Sequence, residues 1–287
     1  MAGAIASWAI SGACRVDNGN GGRLKVRPHS GMNQSATGQI MLGLERNRDA
    51  ILRLPTRSDS LVPLLVMLHG ATQSADDMLE YLGSAPDEAG IAVLAPNSRG
   101  YTWDAILGSF GSDVELLNRA LDRVFDKAAI DLARVAVAGF SDGATYALSL
   151  GLINGDLFSR VVAFSPGFVI EGPPEGRPRI FISHGTADHI LPIDSGGRRI
   201  ATTLKARGYD VTFREFAGDH EIPPILPAKA CYGPQRVNRA QPATSGYCWG
   251  QGFWTTLSNA EEPELPVPPG RSGCRVFMSY LSPGFSA

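Results

Sequence analysis

The chain has 287 residues, of which 44% are hydrophobic and 19% are charged, and its net charge is −2 at pH 7. This composition is typical of a globular protein with enough apolar side chains for a real core. The 26 basic residues are scattered, and no apolar stretch approaches the ~20 residues that a membrane span needs. The sequence therefore indicates neither a nucleic-acid partner nor a membrane span.

The cysteines and the N-terminus bear on the compartment. The four cysteines form no CxxC pair and have no histidine at metal-ligand spacing: Cys14, Cys231, Cys248 and Cys274. They predict no metal site, and their simplest interpretation is free thiols in a reducing compartment, with a disulfide as the alternative in an exported chain. Residues 1–14 have no basic n-region, and Ser11–Cys14 matches a lipoprotein box only in part. We expect a cytoplasmic protein, with secretion or lipid attachment as the alternative.

Three regions of the chain differ in composition. Residues 1–37 are rich in Gly, Asn and Ser, and we interpret them as a loosely ordered leader. Residues 38–225 alternate between short apolar runs and amphipathic stretches, which indicates a folded domain. Residues 226–287 are rich in Pro and Gly and predict an atypical tail, which is either packed against the domain or disordered.

Six apolar runs in the middle region predict strands. They contain no polar alternation, which is typical of strands buried on both faces of a parallel sheet. In chain order the runs are Leu64–Leu68, Ile91–Ala95, Val135–Ala138, Val161–Phe164, Ile180–Ile182 and Val211–Phe216. Residues 38–54, which precede them, predict an antiparallel hairpin on the first edge of the sheet.

Helix signals lie between these runs. Ser74–Asp77 and Ser112–Glu115 both match the [ST]-x-x-[DE] capping box of a helix start. Gly90 and Gly208 stand where helix C-terminal caps are expected. The apolar stripe Val114, Leu117, Leu121 and Val124 has helical spacing. Repeated strand–helix alternation predicts an α/β fold with a doubly wound, mostly parallel sheet.

Gly139–Gly143 has the pattern G-x-S-x-G, with Ser141 at its centre. A serine on a sharp strand-to-helix turn has a strained backbone, and glycines on either side leave room for the helix to approach its strand. A chain with 33 glycines produces this pattern by chance quite easily. Here, however, it follows a predicted strand and precedes a predicted helix at 144–153, which is the context that a nucleophile elbow requires.

A serine nucleophile needs a base, and five histidines are available. His29 lies in the leader, His189 lies in a loop, and His69 and His184 end strands, where a histidine more often hydrogen-bonds the loop. His220 follows the last predicted strand, as the chain order Ser…Asp…His of a hydrolase requires. We predict that His220 is the base.

The base in turn needs an orienting acid, for which three aspartates compete. Asp194 is close to a predicted helix start, where an aspartate is more often a cap. Asp219 directly precedes His220 and has little freedom to meet its ring. Asp188 lies just past the penultimate predicted strand, and we predict that it is the acid.

The predicted site converges at one edge of the sheet. His69–Ala71, Ser141, Asp188 and His220 each follow a different strand, and the carboxyl ends of parallel strands share an edge. A developing oxyanion needs N–H donors at this edge. We predict that these are the N–H groups of Ala71 and Asp142. The simpler interpretation of the Asp142 side chain, an acidic residue in a helix first turn, is compatible with this role.

The segments LHGATQSADDM, GFSDGATYALSLG, HGTADHILPID and GDHEIPP resemble the α/β-hydrolase superfamily, and within it the small carboxylesterase, phospholipase and acyl-thioesterase-like branch. The resemblance covers about residues 38–225, which it implies to be the catalytic domain. It implies Ser141 as nucleophile, His220 as base, Asp188 as acid, and Ala71 with Asp142 as oxyanion donors. No cofactor or metal is implied.

Two features depart from the family. Only Phe168–Arg179 separates two strands where larger lipases insert a cap, and Pro173, Pro174 and Pro178 keep this segment irregular, so we expect no large lid. The loop 97–110, with Tyr101 and Trp103, then either forms the wall of the substrate pocket or is a packed surface loop. The second departure is the tail, which replaces the family's final helix and raises the question of what holds His220.

The expected function is hydrolysis of a small carboxylic ester or thioester through an acyl-enzyme intermediate. Within hydrolases the alternative is a polyester depolymerase or a peptidase. Outside enzymes it is a ligand-binding protein of the same fold with an idle triad. The acyl chain, the alcohol or thiol and the oligomeric state are not predicted by the sequence.

Overall fold

The computed structural model describes residues 21–28, 37–56 and 61–223. Within these residues the strands form a single eight-stranded sheet in the order β1-β2-β4-β3-β5-β6-β7-β8. The strands are β1 (Gly38–Met41), β2 (Ala50–Leu54), β3 (Val62–Leu68), β4 (Ala92–Pro96), β5 (Ile130–Phe140), β6 (Arg160–Phe164), β7 (Arg179–Gly185) and β8 (Val211–Phe216). All six predicted runs and the predicted hairpin are strands of this sheet.

Helices connect the strands. In the described part of the chain they are α1 (Ala75–Leu82), α2 (Ala85–Glu88), α3 (Asp104–Leu107), α4 (Ser112–Lys127), α5 (Asp142–Ile153) and α6 (Arg199–Ala206). A short π-helical segment, Asp194–Arg198, leads into α6 and is interrupted by non-helical backbone at Gly196. Among these helices none is long and apolar enough to cross a membrane.

The sheet is parallel except at its first edge. β1 pairs antiparallel with β2 and β2 with β4, whereas the pairs from β4 through β3, β5, β6 and β7 to β8 are parallel. Every residue of the central β3 is buried, which explains its unbroken apolar run. The prediction of a doubly wound, mostly parallel α/β sheet is confirmed.

Two layers of core cover the two faces of the sheet. Alternate residues of β3 point to opposite faces, so Leu64 and Val66 join one cluster with α4 and α5, and Leu65 and Met67 join a second cluster with α1. The predicted apolar stripe of α4 is buried in the first cluster. Helix α4 thus buries one face, whereas every residue of α5 from Gly143 to Ile153 is buried.

One of the two predicted capping boxes is present. Ser74 accepts from the Asp77 amide, and the Asp77 side chain accepts from the Ser74 amide, so α1 begins as predicted. The prediction for Ser112 is wrong, because Ser112 is already helical and α4 has Gly111 as its N-cap without a side-chain cap. A carboxylate from outside the helix, Asp104, accepts from the Gly111 and Asp113 amides instead.

The described part of the predicted leader is packed rather than loose. Leu24 is 1% exposed and belongs to the main core cluster. Asn154, at the end of α5, accepts from the Leu24 amide and donates to the Gly22 carbonyl. The boundary predicted at residue 37 is therefore wrong for residues 21–28, whose apolar side chains were too few to show a period. The rest of the leader, the tail from residue 226 and all four cysteines lie outside the described residues.

Candidate active site

Ser141 lies on the sharp turn between β5 and α5. Its backbone has φ 55° and ψ −118°, a left-handed conformation that costs a side-chain-bearing residue energy. A Cβ on Gly139 would lie 2.2 Å from the Gly143 carbonyl oxygen, and one on Gly143 would lie 2.4 Å from the His69 carbonyl oxygen. Both glycines are therefore required by close backbone contacts, which is the physical reason for the G-x-S-x-G spacing.

Substitution Gly143→Ala is expected to destabilise the fold by about 3 kcal/mol or more, because the new methyl group meets backbone that cannot move aside. The free energy of unfolding measured in urea checks this value. Gly108→Ala is the matched control, since the φ of Gly108 lies outside the left-handed region and no atom beyond its chain neighbours lies within 4 Å of the point that its Cβ would occupy. Equal unfolding free energies for the two variants would contradict the close approach at the elbow.

A chain of two hydrogen bonds joins the three residues that the sequence predicts as a triad. His220 Nε2 lies 2.8 Å from Ser141 Oγ, and His220 Nδ1 lies 2.8 Å from Asp188 Oδ2. The Phe140 ring packs against the imidazole with a centroid distance of 5.0 Å. Ser141 is 9% exposed, so the residue is largely shielded from solvent.

The Asp188 carboxylate is buried and fully engaged. Its Oδ1 accepts from the Ile190 and Leu191 amides, and its Oδ2 faces His220 and His184. Burial by itself raises the pKa of Asp188, but the hydrogen bonds from His220 and the Leu191 amide lower it. The net effect lowers the pKa, so Asp188 is a carboxylate at neutral pH.

The competing histidines occupy other positions. His69 accepts from the Ser98 amide through Nε2, so its Nδ1 donates to the Gly70 carbonyl, as expected of a loop-bonding histidine. Burial also lowers the pKa of His69. His189 is exposed, and His29 lies outside the described residues. His184 hydrogen-bonds the Leu191 carbonyl but also approaches Asp188, a contact that sequence reasoning did not anticipate.

The competing aspartates serve the surrounding loops. Asp194 is exposed and pairs with Arg198, and it makes no side-chain cap, so the expected capping role is wrong. Asp219 accepts from the backbone amides of His189 and His220 and thereby orders the loop that carries the base. Of the carboxylates near the base in the described chain, it is Asp188 that bonds the His220 ring.

The segment after β3 lies against the elbow. A Cβ placed on Gly70 would be 3.4 Å from Ser141 Cβ, so the 70–72 backbone borders the serine. Of the hydrogen bonds among the described residues, none is donated by the Ala71 or Asp142 amide. The Asp142 side chain accepts from Thr102 Oγ1 at 2.6 Å, and the Thr72 amide donates to the Tyr101 carbonyl at 2.7 Å. Loop 97–110 therefore braces both segments that carry the predicted oxyanion donors.

Tyr101 and Trp103 have different environments. Tyr101 is 59% exposed, whereas Trp103 is fully buried. The Trp103 indole donates to the His69 carbonyl and packs between the His69 and Tyr146 rings. Of the two interpretations of loop 97–110, the substrate wall is therefore wrong for Trp103, which is packed inside the fold. Its ring packs against neighbouring rings and its N–H is hydrogen-bonded, so it supports the site by holding the His69 backbone.

An acidic pair, the buried Asp113 and the half-buried Asp104, closes the same loop. Asp113 accepts from the Arg99 and Asp104 amides, and Asp104 accepts from the Tyr146 hydroxyl. Burial raises the pKa of Asp113 to about 6, which the two amide hydrogen bonds only partly oppose. Two acidic residues nine positions apart carry no recognisable sequence signal, so this pair was not predicted.

Asp113 gives the fold a pH dependence of defined sign. Since the pKa of Asp113 is raised in the folded state, its protonated form favours folding. This contribution is complete below pH ~4 and is lost as the pH rises through about 6. A shift of this size corresponds to about 3 kcal/mol. The free energy of unfolding of wild type, minus that of Asp113→Asn, is expected to fall by about this amount between pH 4 and pH 7. Parallel stability curves for the two proteins would contradict the assignment.

The mouth of the site is open. Residues 165–178, all described, contain no helix between β6 and β7, as expected for a chain without a large cap. Phe168 and Ile190, in the loops after β6 and β7, are 40% and 68% exposed. Within the described residues there is no group of side chains that could hold a metal ion.

The eight-stranded sheet with a strained serine between β5 and α5 defines the α/β-hydrolase fold. The family model described as Phospholipase/Carboxylesterase matches residues 109–225. Esterase PE8, a solved structure, has 22% identity and a TM-score of 0.50, covering 60% of this chain and 90% of PE8. The chain therefore has the α/β-hydrolase fold, and its residues 109–225 are similar to the phospholipase/carboxylesterase family.

Curated relatives match parts of the chain. One described as probable feruloyl esterase C, from Aspergillus flavus, is 28% identical over 182 residues, which are 58% of this chain and 66% of that protein. Poly(3-hydroxybutyrate) depolymerase from Ralstonia pickettii is 30% identical over 142 residues, covering 42% of this chain and 28% of the depolymerase. The chain thus spans less than two thirds of the length of either relative.

Proposed function

We propose that the protein is a serine hydrolase that cleaves a carboxylic ester or thioester through an acyl-enzyme intermediate. Ser141 is the nucleophile, His220 the general base and Asp188 the orienting acid. The observation that carries the proposal is the unbroken chain of 2.8 Å contacts from Ser141 Oγ through the His220 ring to Asp188. Such a chain activates an otherwise weak nucleophile.

In the proposed reaction, Ser141 Oγ attacks the carbonyl carbon while His220 Nε2 takes its proton. The Ala71 and Asp142 amides donate to the oxyanion that forms, and their freedom from other acceptors among the described residues supports this role. His220 then gives the proton to the leaving alcohol or thiol. Attack by water on the acyl-enzyme, with His220 again as base, releases the acid and restores Ser141.

The open mouth favours substrates that need no lid. The segment between β6 and β7 is short and contains no helix, and Phe168 within it is exposed. Small, soluble esters therefore fit the site best. No cofactor is required by this chemistry, because the nucleophile, the base and the oxyanion donors all come from the chain.

A polyester depolymerase is the second candidate. Its support is the set of exposed apolar side chains on loops that follow the strands near the site, Tyr101, Phe168 and Ile190. Such side chains suit adsorption to an apolar solid, and one partial relative carries the name of a depolymerase. No described feature favours a peptidase. A ligand-binding protein with an idle triad is disfavoured by the intact contacts of Ser141, His220 and Asp188.

A substrate panel tests the proposal. Purified protein is assayed on p-nitrophenyl esters of increasing acyl length, on a thioester of the same acyl group and on suspended polyester particles, with Ser141→Ala as the blank for each. We expect turnover to be highest on short soluble esters and absent in the variant. Release of soluble acids from the particles at a higher rate than from short esters would support the depolymerase. No turnover of any substrate, with ligand binding retained, would support the binding protein.

A further inference from the structure

We infer that His184 is a positioning residue that fixes Asp188, an inference that rests on the proposed function. His184 lies at the end of β7, four residues before Asp188, and both side chains are fully shielded from solvent. Its Nε2 lies 3.0 Å from Asp188 Oδ2 and 2.7 Å from the Leu191 carbonyl oxygen. Asp188 Oδ2 is thus shared by two histidines, of which only His220 also reaches Ser141.

The contacts define where His184 carries its hydrogen. Both neighbours of Nε2 are acceptors, so Nε2 carries a hydrogen. It donates this hydrogen to the Leu191 carbonyl, and the Asp188 carboxylate lies 3.0 Å from the same N–H group. Nδ1 is buried and has no hydrogen-bond partner among the described residues. A Cβ on Gly197 would lie only 2.8 Å from Nδ1, so backbone closes that side of the ring. A hydrogen on Nδ1 would have no acceptor among the described residues, so the ring carries its hydrogen on Nε2.

The N–H group of His184 helps to fix the orientation of the Asp188 carboxylate. The Ile190 and Leu191 amides hold Asp188 Oδ1, while Oδ2 has only the two histidine rings. Without His184, Oδ2 keeps one partner, a ring that itself must move protons with Ser141 during turnover. The Leu191 carbonyl accepts from His184, and the Leu191 amide donates to Asp188. Without His184, Leu191 would lose the first of these two hydrogen bonds. Loss of His184 should therefore slow the chemical step and leave substrate binding unchanged, because His184 is buried and does not contact substrate.

Two substitutions separate positioning from packing. His184→Leu keeps an apolar group of similar size but removes the donor. His184→Gln keeps an amide N–H₂ near the position of Nε2, with one hydrogen for each acceptor. We expect kcat to fall by about 10- to 100-fold in the leucine variant and by less than about threefold in the glutamine variant, with KM unchanged within about twofold in both. His189→Gln, at an exposed histidine in the loop after β7, is the control and should match wild type.

The outcomes distinguish this inference from the proposed function. If Ser141→Ala keeps wild-type activity, the proposed function fails and the inference falls with it. If Ser141→Ala is inactive but His184→Leu retains full kcat, or if both His184 variants lose activity equally, the inference alone is overturned. Nitrogen NMR of the wild-type protein gives a reading that needs no variant. We expect a hydrogen on His184 Nε2 and none on Nδ1, and the reverse tautomer or a doubly protonated ring would overturn the inference.

Discussion

Replacement of Ser141 by alanine is expected to lower ester hydrolysis by at least about 10³-fold, because the variant keeps the scaffold and loses the only oxygen that His220 Nε2 contacts at the elbow. The fold should be retained, since the hydroxyl makes no cap bond to α5. Initial rates on the best ester of the panel, compared at equal concentrations of folded protein, measure the effect.

The control for this substitution is Ser195→Ala. Ser195 is exposed, and its hydroxyl bonds only the Pro192 carbonyl, so this variant should hydrolyse esters within about twofold of wild type. A Ser141→Ala variant that unfolds at the same urea concentration as wild type and still turns over the ester would contradict the role of Ser141 as nucleophile.

Substitution Asp188→Asn is expected to lower kcat by about 10⁴-fold, the size of effect that a wrong imidazole tautomer produces. The Ile190 and Leu191 amides bind Oδ1, so the asparagine carbonyl takes that position and its NH₂ group faces the histidines. An NH₂ group donates to His220 Nδ1 and drives the hydrogen to Nε2. With a hydrogen already on Nε2, the His220 ring can no longer accept the proton of Ser141. The same NH₂ group also opposes the N–H of His184.

Asp194→Asn is the matched control, because Asp194 competed with Asp188 on sequence grounds. Its side chain is 82% exposed and pairs with Arg198, so its kcat should stay within about twofold of wild type. If Asp188→Asn retained wild-type kcat, or if Asp194→Asn lost it instead, the assignment of Asp188 as the acid would be wrong.

The strand framework and the converging site were open to prediction because both depend on local patterns. An unbroken apolar run such as Leu64–Leu68 identifies a strand buried on both faces. Parallel pairing then brings the segments after β3, β5, β7 and β8 to one edge, whatever their separation in sequence. The order of Ser141, Asp188 and His220 along the chain completed the selection.

The errors arise where a tertiary contact replaces a local one. Ser112 has the sequence of a helix cap, but the Gly111 and Asp113 amides at that helix start donate to the Asp104 carboxylate instead. Trp103 belongs to a loop at the site, yet the Tyr146 and His69 rings enclose it. In sequence His184 is an ordinary strand-end histidine. Its contacts with the Asp188 carboxylate and the Leu191 carbonyl depend on how the loop after β7 folds back on the strand, which the sequence does not show.

The support of His220 was the open question raised by the unusual tail. Among the described residues, the imidazole is held by Asp188 and Phe140, and its backbone amide by Asp219. The chain beyond it remains attached to the domain, because Tyr81 donates to the Pro223 carbonyl at 3.2 Å and Ile222 is buried in the second core cluster. Within the described residues, both the ring and the backbone of His220 are therefore held by the domain.

The central claim is that Ser141 forms a covalent bond to the reacting carbon. Its most direct test is to treat the protein with a fluorophosphonate probe and to identify the modified peptide by mass spectrometry. We predict a single modification, on Ser141, that is lost in Ser141→Ala and is slowed when His220 is replaced by alanine. Folded, unlabelled wild-type protein, or a label on another serine that persists in Ser141→Ala, would contradict the claim.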